Sequence, residues 1–326
     1  MMSFFTSIDP QNAVRLWCHA HGFAWACGHL LCPRKAVGMA PDPAVGRPIQ
    51  CRRAFSRLDF VVVLVLGATL LGFVLVFLPR QRAHGLRVQC MNNLRRLGEG
   101  VHSYHKEHDA LPPARIADGY AAWAVLLAPH VSSDNPLKEW AEQKRFVDQN
   151  EKVRRAALLV CFCPARSRSS PTGNDGALGD FAAVSGNGDP KHDWTGPDAN
   201  GPLILGEVLK RKDDLILAWR GRVTFQSLKR GLGYTLLIGE KQVPAGHIGE
   251  IGSGDGSLYD GRHPASFARI AGPSFGLAAS ETEPMNNNFG SAHAGLCQFH
   301  VADGSVRSFA VKTDPVVLGR LVTRDD

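Results

Sequence analysis

Three textures of hydrophobic and polar positions follow one another along this chain. From Phe60 to Leu78 no charge interrupts the run: fifteen of nineteen residues are Leu, Val or Phe, and the others are Gly67, Ala68, Thr69 and Gly72. At about −0.3 to −0.6 kcal/mol per large apolar residue, moving this stretch into lipid is favoured by roughly 5 to 9 kcal/mol. As a helix it reaches about 28 Å, close to the hydrocarbon thickness of a bilayer. A core helix or strand rarely runs this long without a polar residue, so the pattern predicts a transmembrane helix over 60–78.

The second texture has the helical period. Cys90, Leu94, Leu97, Val101 and Tyr104 recur at steps of four and three, while Arg95, Arg96, Glu99, Ser103 and Lys106 occupy other faces. The prediction is one long helix, half in lipid and half covering a folded domain, ended by Pro112 and Pro113 because proline cannot continue the backbone ladder. His102, His105 and His108 lie three apart beside Glu107. With no distant ligand they read as surface and interface histidines rather than a metal site.

Beyond residue 114, DGYAAWAVLLAPHV and PLKEWAEQKRFVDQNEKVRRAA predict helices, and LLVCF a short strand. After Cys163 the texture changes again. Gly, Pro, Asn and Asp punctuate GDFAAVSG, GPLILGEV, RVTFQSL and YTLLIGEKQ, as in antiparallel strands joined by loops. LCQFHVADGSVRSFAV predicts a hairpin turning at Asp303 and Gly304. The fold class is α+β, a helix laid over an antiparallel sheet, with the strand order not legible.

Charge changes little in this picture. Of the net +7, residues 1–54 contribute +4, from six Lys/Arg and two Asp/Glu, which leaves +3 for everything after Ala54. No Arg-rich helix, zinc-finger spacing or aromatic-basic motif follows, so nucleic acid is not an expected partner. Residues 1–54 read as a cytoplasmic leader or as a start assigned too early, Met39 then opening a short basic leader. Their CHAHGFAWACGHLLC lacks the regular paired spacing of a zinc site. Ser291, His293 and Asp303 are not set on a Gly-x-Ser-x-Gly elbow and read as a turn entering the last hairpin. The SGDGS stretch around Asp255 offers too few oxygen ligands for calcium and reads as a surface loop. No catalysis, no cofactor and no metal is expected.

A short basic leader, a small residue, Phe, and an acid at the fifth position leading an apolar helix resemble the amino terminus of type IV pilins and type II secretion pseudopilins. The resemblance implies cleavage by a prepilin peptidase between Ala54 and Phe55, with Asp59 as the acid that neutralises the new amine of a neighbouring subunit. This chain has Ala where those proteins usually have Gly and Asp where they have Glu, and Arg57 holds a normally apolar position. Gly67 and Gly72 would let neighbouring helices approach closely during assembly.

Farther on, QCMNNLRRLGEGVHSYHKEHDALPP, AWAVLLAPHV, CFCP, GYTLLIGEK and NNFGSAHAGLCQFHVADGSVRSFA follow in an order that resembles the DUF1559 family, pilin-like proteins expanded in planctomycetes. The resemblance runs from about Arg52 to the end. It implies a pilin-like helix over 55–110 and an extracytoplasmic α+β domain over 111–326, held by a single pass in the cell inner membrane with a cytoplasmic amino terminus. Expected partners are the lipid bilayer, other subunits of a pilus-like or pseudopilus assembly, and the prepilin peptidase. The alternative is a tethered, non-assembling binding module. Without residues 1–54 the chain keeps Cys90, Cys161, Cys163 and Cys297, an even number in a compartment that permits disulfides. The family motifs imply Cys90 bonded to Cys163, leaving Cys161 free or joined to Cys297, and four reduced cysteines remain the alternative.

Overall fold

The computed structural model describes residues 56–325 and divides the chain into two units, 1–63 and 64–326. Of the first unit the described part, 56–63, holds the start of helix α1 (Arg57–His108). A reciprocal pair closes its opening turn: Ser56 N–H donates to the Asp59 carboxylate and Asp59 N–H donates to Ser56 Oγ. Amides at a helix start lack backbone partners, and these two side chains supply them. Ala54 and Phe55, the expected cleavage point, lie outside the described residues.

Within 64–326, α1 changes character along its length. Leu66, Leu70, Leu71, Phe73, Leu75 and Leu78 are exposed. Among the described residues α1 is the one helix long and apolar enough to cross a membrane, and its most apolar stretch is wholly exposed. Farther along, Cys90, Leu94, Leu97, Val101 and Tyr104 are buried while Arg95, Arg96, Glu99, Ser103 and Lys106 stay exposed, which is the stripe that the spacing predicts. The helix stops at His108, before the prolines, where Asp109 takes a left-handed φ of 52° and donates its N–H to His105.

A five-stranded sheet lies under this half of α1. Its strands are β1 (Phe181–Gly186), β4 (Leu236–Glu240), β5 (Ala268–Ile270), β6 (Leu296–Val301) and β7 (Val306–Ala310), in the order β5-β1-β4-β6-β7. All neighbours are antiparallel except β1 and β5, which run parallel, so the sheet is mixed where a purely antiparallel one is predicted. Helix α2 (Trp123–Val131), one of the expected helices, packs beside α1, with Val131 against Gly100. One core contains the buried stripe of α1, α2, Phe181 and Ala183; a second contains Ala182, Val184, Phe299 and Leu318 of the carboxy-terminal helix α4 (Pro315–Leu321). Alternate residues of β1 therefore enter different cores. Burial on both faces is why GDFAAVSG and LLIGE read as continuous apolar runs rather than alternating ones.

Other expectations are corrected. The segment from Pro136 is not one helix but a series of turns with a single 3₁₀ turn at Phe146–Asp148 and a one-turn helix, α3 (Glu151–Arg154). The Gln149 side chain takes over the pairing there, accepting from Ala141 N–H and donating to the carbonyls of Ala141 and Lys144. LLVCF is a 3₁₀ turn at Leu159–Cys161, and RVTFQSL holds another at Phe225–Ser227, where Thr224 and Ser227 bond reciprocally to each other's backbone. GPLILGEV becomes strand only from Glu207, in a separate hairpin of β2 (Glu207–Lys212) and β3 (Leu215–Arg220). The last hairpin forms as predicted, with Gly304 at φ 90° in its turn.

The seat of α1 on β6 is tight at Gly98, where an added Cβ would lie 1.7 Å from His300 Nε2. Gly98→Ala should therefore destabilise the detergent-solubilised chain by about 1 to 3 kcal/mol, the usual cost of overpacking. The combination with His300→Ala should recover part of that loss in denaturant unfolding, and additive losses would show that the contact is not what matters.

His300 itself is fully buried, and its neighbours are His102 on α1 and Asp303 in the turn. Burial, helped by His102, pushes its imidazole down to about 4. Below pH 6.5 the unfolded chain takes up this proton first, so stability should fall from about pH 6.5 to about pH 4 by on the order of 3 kcal/mol and then level off. Unfolding midpoints of wild type and His300→Leu across that range test it, since the variant should show a shallower decline.

Candidate functional site

Four segments far apart in sequence each deliver one chemically active side chain to the same place. Cys90 is the first buried residue of the α1 stripe, Cys163 follows the Leu159–Cys161 turn, Glu240 ends β4, and His293 lies in the turn before β6. Their ligand-type atoms all lie within 4.8 Å of one another. Cys90 Sγ donates to Glu240 Oε1 at 3.1 Å, Cys163 Sγ is 3.4 Å from His293 Nε2, and the same Nε2 is 3.6 Å from Glu240 Oε1. All four residues are buried, Cys90 and Glu240 almost completely.

Local structure holds each of them in place. One turn after Cys90, the Asn93 amide donates to the Phe162 carbonyl at 2.8 Å and ties the helix to the Cys163 loop. Cys163 N–H donates to Asp180 Oδ2, the second Glu240 oxygen accepts Gln298 N–H at 2.7 Å, and His293 N–H donates to Ser291 Oγ. The electrostatics follow from the crowding. Burial, together with the negative charge of Cys163, pushes Glu240 up to about 7. The single Cys90 S–H, shared between Glu240 and the Cys163 sulfur, lowers Cys163 against its own burial, with His293 acting the same way. Cys90 is raised by holding that proton and by burial. Burial lowers His293, but the Cys163 sulfur and Glu240 outweigh it and the imidazole is raised.

The disulfide implied by the resemblance would join two sulfurs that the fold brings within 4.8 Å of each other. Cys90 and Cys163 are neighbours, yet both are free thiols, as are Cys161 and Cys297. Each sulfur of the expected pair also faces a polar group, Glu240 for one and His293 for the other. Ser291, His293 and Asp303 form no triad, since His293 Nε2 is turned to Cys163 and Glu240 and Asp303 accepts from Ser305 in the hairpin turn. His102 and His105 flank the Phe225 ring, each at 4.6 Å, and His108 comes near Glu107 and His130 at the surface. Gly67 and Gly72 are exposed on the apolar part of α1 and are not among these residues, and Asp59 is exposed in the first unit.

Beside the cluster lies a second buried group, and it corrects the reading of SGDGS as a surface loop. Asp255 has no exposure and lies 2.9 Å from Lys241 Nζ and 2.7 Å from Arg168 Nη1. Asp180 takes Arg166 at 2.8 Å and also Arg168, so the carboxylate that fixes Cys163 belongs to this network. Arg269 donates to the carbonyls of Gln242 and Gly254. Burial pulls Lys241 down to about 8 and Arg269 to about 9, although Asp255 resists in both cases. Asp255 is held below the ordinary carboxylate range because Lys241 and Arg168 outweigh its burial. Its carboxylate is taken up by side-chain cations in the place where a calcium loop would use it.

Sequence reasoning named Cys90 and Cys163 and missed Glu240 and His293 as their companions. A signal existed: the four residues fall one each in QCMNNL, CFCP, GYTLLIGEK and NNFGSAHAG. A family model described as a protein of unknown function (DUF1559) matches residues 81–316, which include all four side chains. No curated protein and no solved structure matches the chain.

Removing one partner of a buried ion group strands the others, at about 3 to 5 kcal/mol. Asp255→Asn should lower the stability of the full chain in detergent by that order, measured by denaturant unfolding, whereas Asp118→Asn at an exposed pair should change it by less than about 1 kcal/mol. Equal effects would show that the buried network contributes nothing special.

Proposed function

Because the chain belongs to the DUF1559 family of proteins of unknown function, its role has to be read from its own residues, and we propose a membrane-anchored, pilin-like structural protein that assembles with copies of itself or with a pseudopilus-type machine. The observation that carries this reading is α1: a single helix whose first part is apolar and exposed and whose last part is buried in the core of the domain. Lipid would take the first part, and the domain would stand on the extracytoplasmic side. Nothing lies within 4 Å of the position a side chain would take at Gly67 or Gly72, so both leave room for a neighbouring helix. Asp59 is exposed, with one carboxylate oxygen on the Ser56 amide, and is available to a second charge. Processing between Ala54 and Phe55 would supply that charge as a new amine on the neighbouring subunit.

A second reading, a tethered binding module, draws on a half-open cavity of about 300 Å³ lined by Tyr104, His108, Glu142 and Trp219. Aromatic and charged groups together are what a polar ligand of moderate size would need.

Mass and amino-terminal sequence of the protein taken from membranes separate the two. The assembling protein should begin at Phe55 with a methylated amine, and oxidative cross-linking of a Leu71→Cys variant in membranes should join copies. Asp59→Ala should reduce that cross-linking without releasing the chain from the membrane. A chain still beginning at Met1 or Met39, with no cross-linked species, would leave the tethered module.

A further inference from the structure

We propose that Cys90, Cys163, Glu240 and His293 bind one zinc-class divalent ion in a closed four-coordinate site that fastens α1 to the sheet. The donor set is the first argument. Two sulfurs, an imidazole nitrogen and a carboxylate oxygen suit a borderline-soft cation that prefers four ligands, and they suit calcium or magnesium poorly.

Spacing is the second argument. Metal–ligand bonds of about 2.0 to 2.3 Å in a tetrahedron place the ligands about 3.3 to 3.8 Å from one another. The three separations given above, 3.1, 3.4 and 3.6 Å, already fall within a few tenths of that range. The other three separations lie within 4.8 Å, so the four atoms have to draw together by about an ångström at most for an ion to sit between them.

Orientation is the third. Sites of this kind are held by partners behind the ligands, and here each ligand has one: Asn93 ties the Cys90 turn to the Cys163 loop, Asp180 holds the Cys163 amide, Gln298 N–H holds the far Glu240 oxygen, and Ser291 fixes the His293 turn.

Two other uses of the same atoms fit less well. A Cys163–His293 pair resembles a nucleophile with its base, but all four residues are buried, and the five cavities described are lined by other residues. A Cys90–Cys163 disulfide would remove the Cys90 S–H that donates to Glu240, leaving the buried carboxylate with His293 and one amide. With all four positions filled by protein, the ion's role is to hold structure rather than to activate water. The proposal is independent of cleavage at Phe55 and of assembly.

The test is metal content of the full chain, purified from membranes in detergent without chelator, supplied with zinc chloride and then freed of excess. Close to one zinc per chain is expected. Cys90→Ser, Cys163→Ser and His293→Ala should each lose most of it, while His247→Ala, at an exposed histidine paired with Glu250, should keep it. Buried variants can fail to fold, so the wild-type chain is also loaded with cobalt(II). Thiolate-to-cobalt charge-transfer absorption should appear, and Cys90 and Cys163 should react with iodoacetamide only after a chelator is added. Zinc well below one per chain, an absent charge-transfer band, or peptide mapping that finds Cys90 joined to Cys163 would overturn the proposal.

Discussion

The carboxyl of Glu240 stands where almost no water reaches, and a buried polar group of this kind persists only when several groups of the right polarity surround it. Here the surrounding groups come from every layer of the domain: the Cys90 thiol from the helix above the sheet, an amide of β6 beside it, and an imidazole from the turn that leads into β6. The next residue, Lys241, carries the opposite charge into the opposite environment, where Asp255 receives it. One dipeptide at the end of a central strand thus sends an acid into a cluster of thiols and a base into a cluster of ions. Asp180 belongs to both, since its two oxygens divide between the Cys163 amide and the arginines.

Much of this was readable in the sequence, and the parts that were not share a physical cause. The α1 stripe and the apolar run were legible because a helix repeats its environment every few residues, so that burial or exposure leaves a period. The β6–β7 hairpin was legible because its turn chemistry is local. The segment from Pro136 misled because its apolar residues, Trp140, Phe146 and Val153, are buried as in a helix, while the backbone pairing passes to the Gln149 side chain. The parallel neighbour β5 was invisible because three residues carry no period, and its partner is more than eighty positions away.

The candidate site shows the same limit from the other side. The family motifs pointed to two cysteines, and the natural thought for such a pair is a covalent bond. What decides their chemistry is the company they keep, and Glu240 and His293 reach them only through the β1–β4–β6 pairing and the turn at Ser291. Asp255 tells a similar story. Surrounded in sequence by Gly and Ser, it looks like a solvated loop, and it lies instead against Lys241 and Arg168, brought in from other segments.

The two glycine notches of α1 bear on how the domain would respond to load. The His300 ring fills the groove at Gly98, and Val131 of α2 fills the one at Gly100. Two glycines two positions apart on a helix face directions about 200° from one another, so the shaft is keyed from two sides. It can neither slip along the sheet nor roll upon it without driving backbone into a ring or a branched methyl. Tension applied to the apolar end therefore finds no compliant slide to spend itself on, and the first thing to yield must be the domain's own packing.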